Sequence, residues 1–258
     1  MKGQSALPRA AFLVGLLIVG VGAVGSVWGR QLLTRISFFD ARRIEVVGTR
    51  LVAPDSVMIM AAIGRARSVW EDFTPEERRL SIHPLIEEAR VLRSGLHSLR
   101  IVVREVEPLA FVGIPELRPV RGDGTVLPID PSSVSLDLPV LTTPAELEEN
   151  SVRLRDGPAR QALQIFAKLR ALDPGLAAIV SDFELAEPEG LTADLAPSQP
   201  ARRVTLPRAI DAMLVRRLRA TLADLRSRGV DAAVLEARYA DQVVVKIGRI
   251  QSRGGNRL

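Results

Sequence analysis

Apolar and polar positions change their period several times along this chain, and each change predicts an element. In RRIEVVG (Arg42 to Gly48), Ile44 and Val46 share a face and a glycine closes the run, which predicts a strand. PDSVMIMAAIG (Pro54 to Gly64) shifts to an apolar helical face, with proline in the first turn and a terminal glycine. TPEERRLSI predicts a second helix opened by a capping box, with Thr74 at the cap, Pro75 at N1 and Glu77 at N3. His83-Pro84 ends it, because proline disfavours helical geometry in the residue before it. Period two then returns in ARVLRSGLHSLRIVVREVEPLAF (Ala89 to Phe111). Ala89, Val91 and Arg93 share one face of a strand, SGLH is a turn, and Leu99, Ile101 and Val103 oppose Arg100 and Arg104 in the next strand. Pro108 cannot donate to a ladder, so pairing lapses there. The order is β, α, α, β, β, with two helices on one face of a small sheet.

Beyond Pro108 the pattern loosens. GDGTVLPIDPSSVSLDLPVLTTP (Gly122 to Pro144) is dense in proline, glycine and short apolar pairs, which predicts short strands and turns. Two helical stretches follow. Ala162, Ile165, Phe166 and Leu169 keep helical spacing within Gly157 to Leu172, and Leu214, Leu218, Leu222 and Leu225 do so within Ile210 to Arg228. Between them SDFEL and RRVTL read as strands separated by a loop from Pro188 to Pro200. YADQVVVKI (Tyr239 to Ile247) reads as a last strand, followed by a basic tail from 249 to 258 expected to be disordered.

The amino-terminal region obeys neither period. AAFLVGLLIVGVGAVGSVWG (Ala10 to Gly29) has no charge and no proline. As a helix it reaches about 30 Å, the thickness of a bilayer's hydrocarbon core. Trp28 and Arg30 stand where an interfacial aromatic and a snorkelling cation belong. A cleaved signal peptide is the competing reading; the apolar run exceeds the usual length for one, which favours an uncleaved anchor. Arg30, Arg35, Arg42 and Arg43 follow the span, whereas Lys2 and Arg9 precede it. A local positive-inside count therefore puts the bulk of the chain in the cytoplasm, although long domains translocate largely regardless of charge.

Composition narrows the function classes. The pI near 10.5 invites a nucleic-acid reading. Yet eight of the 35 basic residues lie before Asp40 or after Asp241, where there is no acid, and the remaining 27 face 30 acids. A nucleic-acid surface needs a basic stripe on the fold itself. Cysteine is absent, which excludes disulfides and thiolate chemistry. His83 and His97 are the only histidines and have no partner at metal spacing. Asp123 in GDG reads as a turn residue, Lys168 as a solvent-facing helix residue and Trp70 as packing. No phosphate-cradling glycine loop is present. The chain therefore reads as a non-enzyme without cofactor, metal or small-molecule substrate.

Four segments in order resemble the bacterial cell-division family FtsQ/DivIB: IEVVGTRLV; HPLIEEARVLRSGLHSLRIVVREVEPLA; GDGTV with the later LDLPVL; and LEARYADQVVVKIG. The chain departs from that pattern near Leu96, at Val106 and at Arg121 or Gly122. The resemblance implies an α+β protein with a cytoplasmic tail (1–9), one transmembrane helix (10–29) and a linker (30–37). It further implies a POTRA domain (38–108) and a mixed β domain with two helices (109–248). It implies a single-pass protein of the bacterial inner membrane at the division septum, N-terminus in the cytoplasm and bulk outside. The expected role is a scaffold binding the bitopic partners FtsB and FtsL by strand addition at the C-terminal edge of the β domain. On this sequence that edge is Arg238, Tyr239, Gln242, Val243, Val244, Val245, Lys246 and Ile247, with Tyr239 at the family's interface tyrosine. The run from Val243 to Ile247 looks apolar on both faces, and the bland alternative is that Tyr239 caps the core and the strand is covered. The POTRA edges are a second candidate surface. Two other function classes remain open, a POTRA protein of polypeptide transport and outer-membrane assembly, and a membrane-anchored hydrolase.

Overall fold

The computed structural model describes Thr34 and residues 37–64, 67–131, 134–188, 190–239 and 241–248. The expected tail (1–9), membrane helix (10–29) and basic tail (249–258), with most of the linker, lie outside these residues. Among the described residues no helix is long and apolar enough to cross a membrane. The fold is mixed α+β, and the chain divides into two compact units between Val106 and Glu107.

The first unit holds β1 (Arg43–Val47), α1 (Pro54–Ala61), α2 (Thr74–Ser81), β2 (Ile86–Arg93) and β3 (Ser98–Glu105). Its sheet runs β1-β3-β2, with β1 parallel and β2 antiparallel to the central β3. The alternation in β3 is realised: Leu99, Ile101 and Val103 are buried and Arg100 and Arg104 are exposed. Glu105 accepts the amides of Arg50, Leu51 and Val52 at 2.9, 2.7 and 2.8 Å, fixing the connection from β1 to α1. Gly48 has φ +88°, and a Cβ there would overlap the Val103 carbonyl, so the position requires glycine.

Two local expectations fail in this unit. Helix α1 stops at Ala61 and turns through left-handed Ala62, not at Gly64. The capping box at Thr74 is not formed. Asp72 accepts from the Thr74 amide (3.1 Å) and hydroxyl (2.7 Å), while Glu77 accepts the Val91 amide of β2 at 2.7 Å. A carboxylate that could cap its own helix instead satisfies an edge-strand donor.

The second unit builds one eight-stranded sheet, in the order β11-β10-β9-β8-β7-β6-β4-β5. Its strands are β4 (Ala110–Ile114), β5 (Glu116–Val120), β6 (Val140–Leu141), β7 (Val180–Ala186), β8 (Gly190–Leu195), β9 (Ala201–Leu206), β10 (Ala232–Glu236) and β11 (Val244–Lys246). Its helices are α3 (Pro158–Leu172), a short α4 (Pro174–Ala177) and α5 (Ala212–Arg228). Ala162, Leu163, Ile165, Phe166 and Leu169 of α3 and Leu214, Leu218, Leu222 and Leu225 of α5 are buried in one apolar core. Phe166 stacks on Phe183 of β7 with ring centroids 4.3 Å apart. Burying each such side chain contributes roughly 1.5–3 kcal/mol. Asp211 caps α5 by accepting the Leu214 amide, and left-handed Gly229 ends it.

Corrections here concern strands. The stretch from Pro188 to Pro200 is not only loop: it contains β8, whose Leu191, Ala193 and Leu195 are buried. The last strand does not run from Tyr239 to Ile247. It covers Val244–Lys246, with Tyr239 in the connection from β10. Strand β10 and the β4–β5 hairpin had no counterpart in the sequence reading, nor did the short α4.

Candidate functional site

The eight expected contact residues fall on β11, an end strand of the large sheet, at its two ends, or, for Arg238 and Tyr239, in the connection from β10. Its inner side pairs antiparallel with β10, with Lys246 opposite Val234, Val245 opposite Leu235 and Val244 opposite Glu236. Among the described residues no strand lies on its outer side. An end strand in this position presents alternate N–H and C=O groups to solvent, and those groups can pair with another chain.

The two faces of β11 differ, which corrects the expectation that both are largely apolar. Val243 and Val245 pack against the core, Val245 opposite fully buried Leu235. Val244 and Lys246 lie on the other face, in register with Glu236 and Val234 of β10. Across the sheet Glu236 is itself in register with Thr205, Thr205 with Thr192, and Thr192 with Glu184.

Glu236 organises this face, and the sequence reading did not single it out. Its residue is 8% exposed. It pairs with the Lys246 ammonium across the strands and accepts from Arg238 Nη2 at 3.1 Å, and the Tyr239 hydroxyl stands 3.5 Å away. The Arg238 guanidinium lies 5.4 Å from the Tyr239 ring centroid. The Lys246 hydrogen bond holds the Glu236 carboxyl below the ordinary glutamate value, against an opposing push from desolvation and with help from Arg238. The sequence signal was an acid at the end of one strand with cations two and ten residues later. It becomes readable once β10 and β11 are known to be adjacent.

Tyr239 is 41% exposed and Ile247 73% exposed, and Gln242 is also exposed. Tyr239 therefore does not cap the core. The structure gathers Arg238, Tyr239, Val244 and Lys246 around Glu236, directs Val243 and Val245 inward, and leaves Gln242 and Ile247 at the ends.

Residues considered for chemistry take ordinary roles. The His83 Nδ1 accepts the Leu85 amide at 3.3 Å. Asp123 accepts the Thr125 amide at 2.9 Å; desolvation opposes its charge, but the Thr125 hydrogen bonds prevail and hold it below the ordinary aspartate value. Lys168 is exposed on α3, and Trp70 packs against the first unit's core with the Arg93 guanidinium 3.6 Å from its ring centroid. Among the described residues no group of three or more His, Cys, Asp or Glu could hold a metal ion. A cleft of about 440 Å³ lies beside Leu176, Ile179, Gln199, Arg219 and Arg226. Its arginines are engaged by Asp173 (2.9 Å) and Gln199 (2.7 Å), and no nucleophile or general base lines it.

No family model matches the chain, and no curated protein matches it.

Proposed function

We propose that the chain is a membrane-anchored, non-enzymatic scaffold whose outer portion pairs a POTRA domain with a β domain. More particularly, we propose an FtsQ/DivIB-type division protein of the bacterial inner membrane that captures an FtsB-like partner, accompanied by FtsL, through strand addition on β11. The observation that carries this reading is that among the described residues no strand lies on the outer side of β11. A three-residue strand ends an eight-stranded sheet next to an exposed tyrosine, at the positions where the family resemblance puts partner contacts. Support also comes from the β-α-α-β-β order of the first unit and from the uncharged run between Ala10 and Gly29. Strand addition needs unpaired backbone groups and side-chain contacts beside them, and an exposed aromatic next to an ion cluster can supply such contacts.

The test is Tyr239→Ala. Its hydroxyl makes at most a long contact at 3.5 Å and its ring is substantially exposed. The melting temperature should therefore stay within a degree or two while capture of the partner's outer segment weakens by roughly thirtyfold, the effect of losing one interface anchor. Equal capture by wild type and variant would reject the assignment.

A further inference from the structure

One end of the first unit's sheet differs from the other in charge. At the end where the chain enters β1 stand Arg42, Arg43 and Arg93, all exposed, against one acid, Asp40, and with the Arg93 guanidinium over the Trp70 ring. Among the described residues neither Arg42 nor Arg43 forms an ion pair with a carboxylate. The opposite end carries Glu87, Glu88 and Glu105 at the start of β2 and the end of β3, with one cation, Arg104, shared between the first two at 3.4 and 3.1 Å. The basic end also exposes apolar side chains, Phe38 at 55% and Leu96 at 57%. They belong to one surface: Phe38 packs edge-on against His97 with centroids 4.8 Å apart, and the Arg42 and Arg43 amides bond the His97 carbonyl at 2.8 and 3.2 Å.

The chain's apolar run ends at Gly29, and Arg30 to Ser37 is the only stretch between it and Phe38. Eight residues span at most about 29 Å. Arg30 and Arg35 lie within that stretch. We infer that the basic end of the first unit rests on the anionic surface of the membrane, with Phe38 and Leu96 dipped into the headgroup region and Arg42 and Arg43 among lipid phosphates. The inference depends on the membrane-anchor reading proposed above. Apolar side chains ringed by arginine suit an interface where one part is oily and the next anionic. Attraction to anionic headgroups favours each nearby arginine by about fivefold in population, fading within roughly 10 Å. This contact would fix the orientation of the first unit relative to the membrane.

The chain has no cysteine, so single labelling sites can be introduced cleanly. Full-length protein carrying Leu96→Cys or, as a control, Ile82→Cys is labelled with a fluorophore and placed in vesicles containing headgroup-attached quencher lipids. Ile82 is an informative control because it is equally apolar and more exposed, at 81%, yet lies four residues before β2 at the acidic end. In phosphatidylglycerol-containing vesicles, position 96 should be quenched and position 82 should not. Arg42→Gln with Arg43→Gln should lower the ratio of touching to lifted tips by about fivefold per arginine. Phosphatidylcholine vesicles should abolish the difference between the two sites without altering the protein, so the test does not depend on how the variant folds. Equal quenching at both positions, or a preference for position 96 unchanged in neutral lipid, would overturn the inference while leaving the anchor intact. Failure of the chain to float with vesicles of either kind would overturn the anchor reading and the inference with it.

Discussion

The two ends of the eight-stranded sheet are treated very differently. Strand β5 contains Glu116, Arg118 and Pro119, and its outer side is partly closed by the chain itself, through a Val120–Val126 bridge and a Leu127 amide bonded to the Pro119 carbonyl at 2.8 Å. Charge, proline and a covering segment are the usual defences of a sheet edge. Strand β11 has two valines and a lysine, and that lysine is turned to Glu236 across its own sheet. The contrast teaches that edge exposure here is not a generic property of a sheet's last strand. One edge is covered by the chain itself, while on the outer side of the other no strand lies among the described residues.

The largest effect should come from damaging what both edges share. Phe166→Ala removes the ring stacked on Phe183 and leaves a cavity in the core. A cost of about 3–5 kcal/mol is expected. Calorimetry should show a lower melting transition of the second unit, and amide exchange should rise at β5 and β11 alike. Faster exchange at one edge alone would mean that the two strands do not belong to one cooperative unit.

A smaller, sharper effect should separate the edges. Val245→Pro removes a backbone donor from a three-residue strand, with modest cost to global stability but loss of the strand-pairing platform. Capture of the partner segment should fall by about tenfold or more, as expected from losing one or two hydrogen bonds and gaining a steric clash. Leu117→Pro in β5 should leave capture unchanged, whatever it does to the β4–β5 hairpin. Binding assays on the two variants compare the edges directly; similar losses would erase the distinction drawn between them.

The sequence revealed the first unit better than the second, for a physical reason. Leu99, Ile101 and Val103 alternate with exposed arginines because that sheet buries only one face, so period two is written plainly. Strand β10, AAVLE, gives no such sign: alanine and leucine suit a helix equally, and its neighbours β9 and β11 determine its state. Strand β8 was more legible than its reading allowed, since Leu191, Ala193 and Leu195 alternate with Thr192 and Asp194, but the nearby prolines drew attention to loop. The capping box was a sound local pattern overridden by tertiary need, as Glu77 was taken by an unpaired amide of β2. At the candidate edge the sequence pattern placed a strand over Val244 to Lys246, which the structure shows, but ran it too far back, to Tyr239. Glu236 was not legible, because its meaning depends on a cross-strand pairing.

The smallest expected effect is on pH dependence. Glu236 lies below its ordinary value when folded, so the folded state binds fewer protons than the unfolded one in that range. Its contribution is present above the ordinary glutamate value near about 4.3 and is lost as pH falls through the depressed folded value. Asp123 acts with the same sign. Melting curves followed from neutral pH down to about 3 should show Glu236→Gln flattening part of the slope and leaving the part due to Asp123. The same variant should loosen β11 relative to β5, since it removes the carboxylate that Lys246 holds. An unchanged slope would mean that the Glu236–Lys246 pair does not pin the strand.

The most direct measurement is amide hydrogen exchange, residue by residue, on the full chain with and without the outer segment of the proposed bitopic partner. Protection should rise at Val244 to Lys246 and in the adjoining Tyr239 region, with β5 unchanged. Binding that leaves β11 amides unprotected, or that protects β5 instead, would contradict strand addition at the open edge.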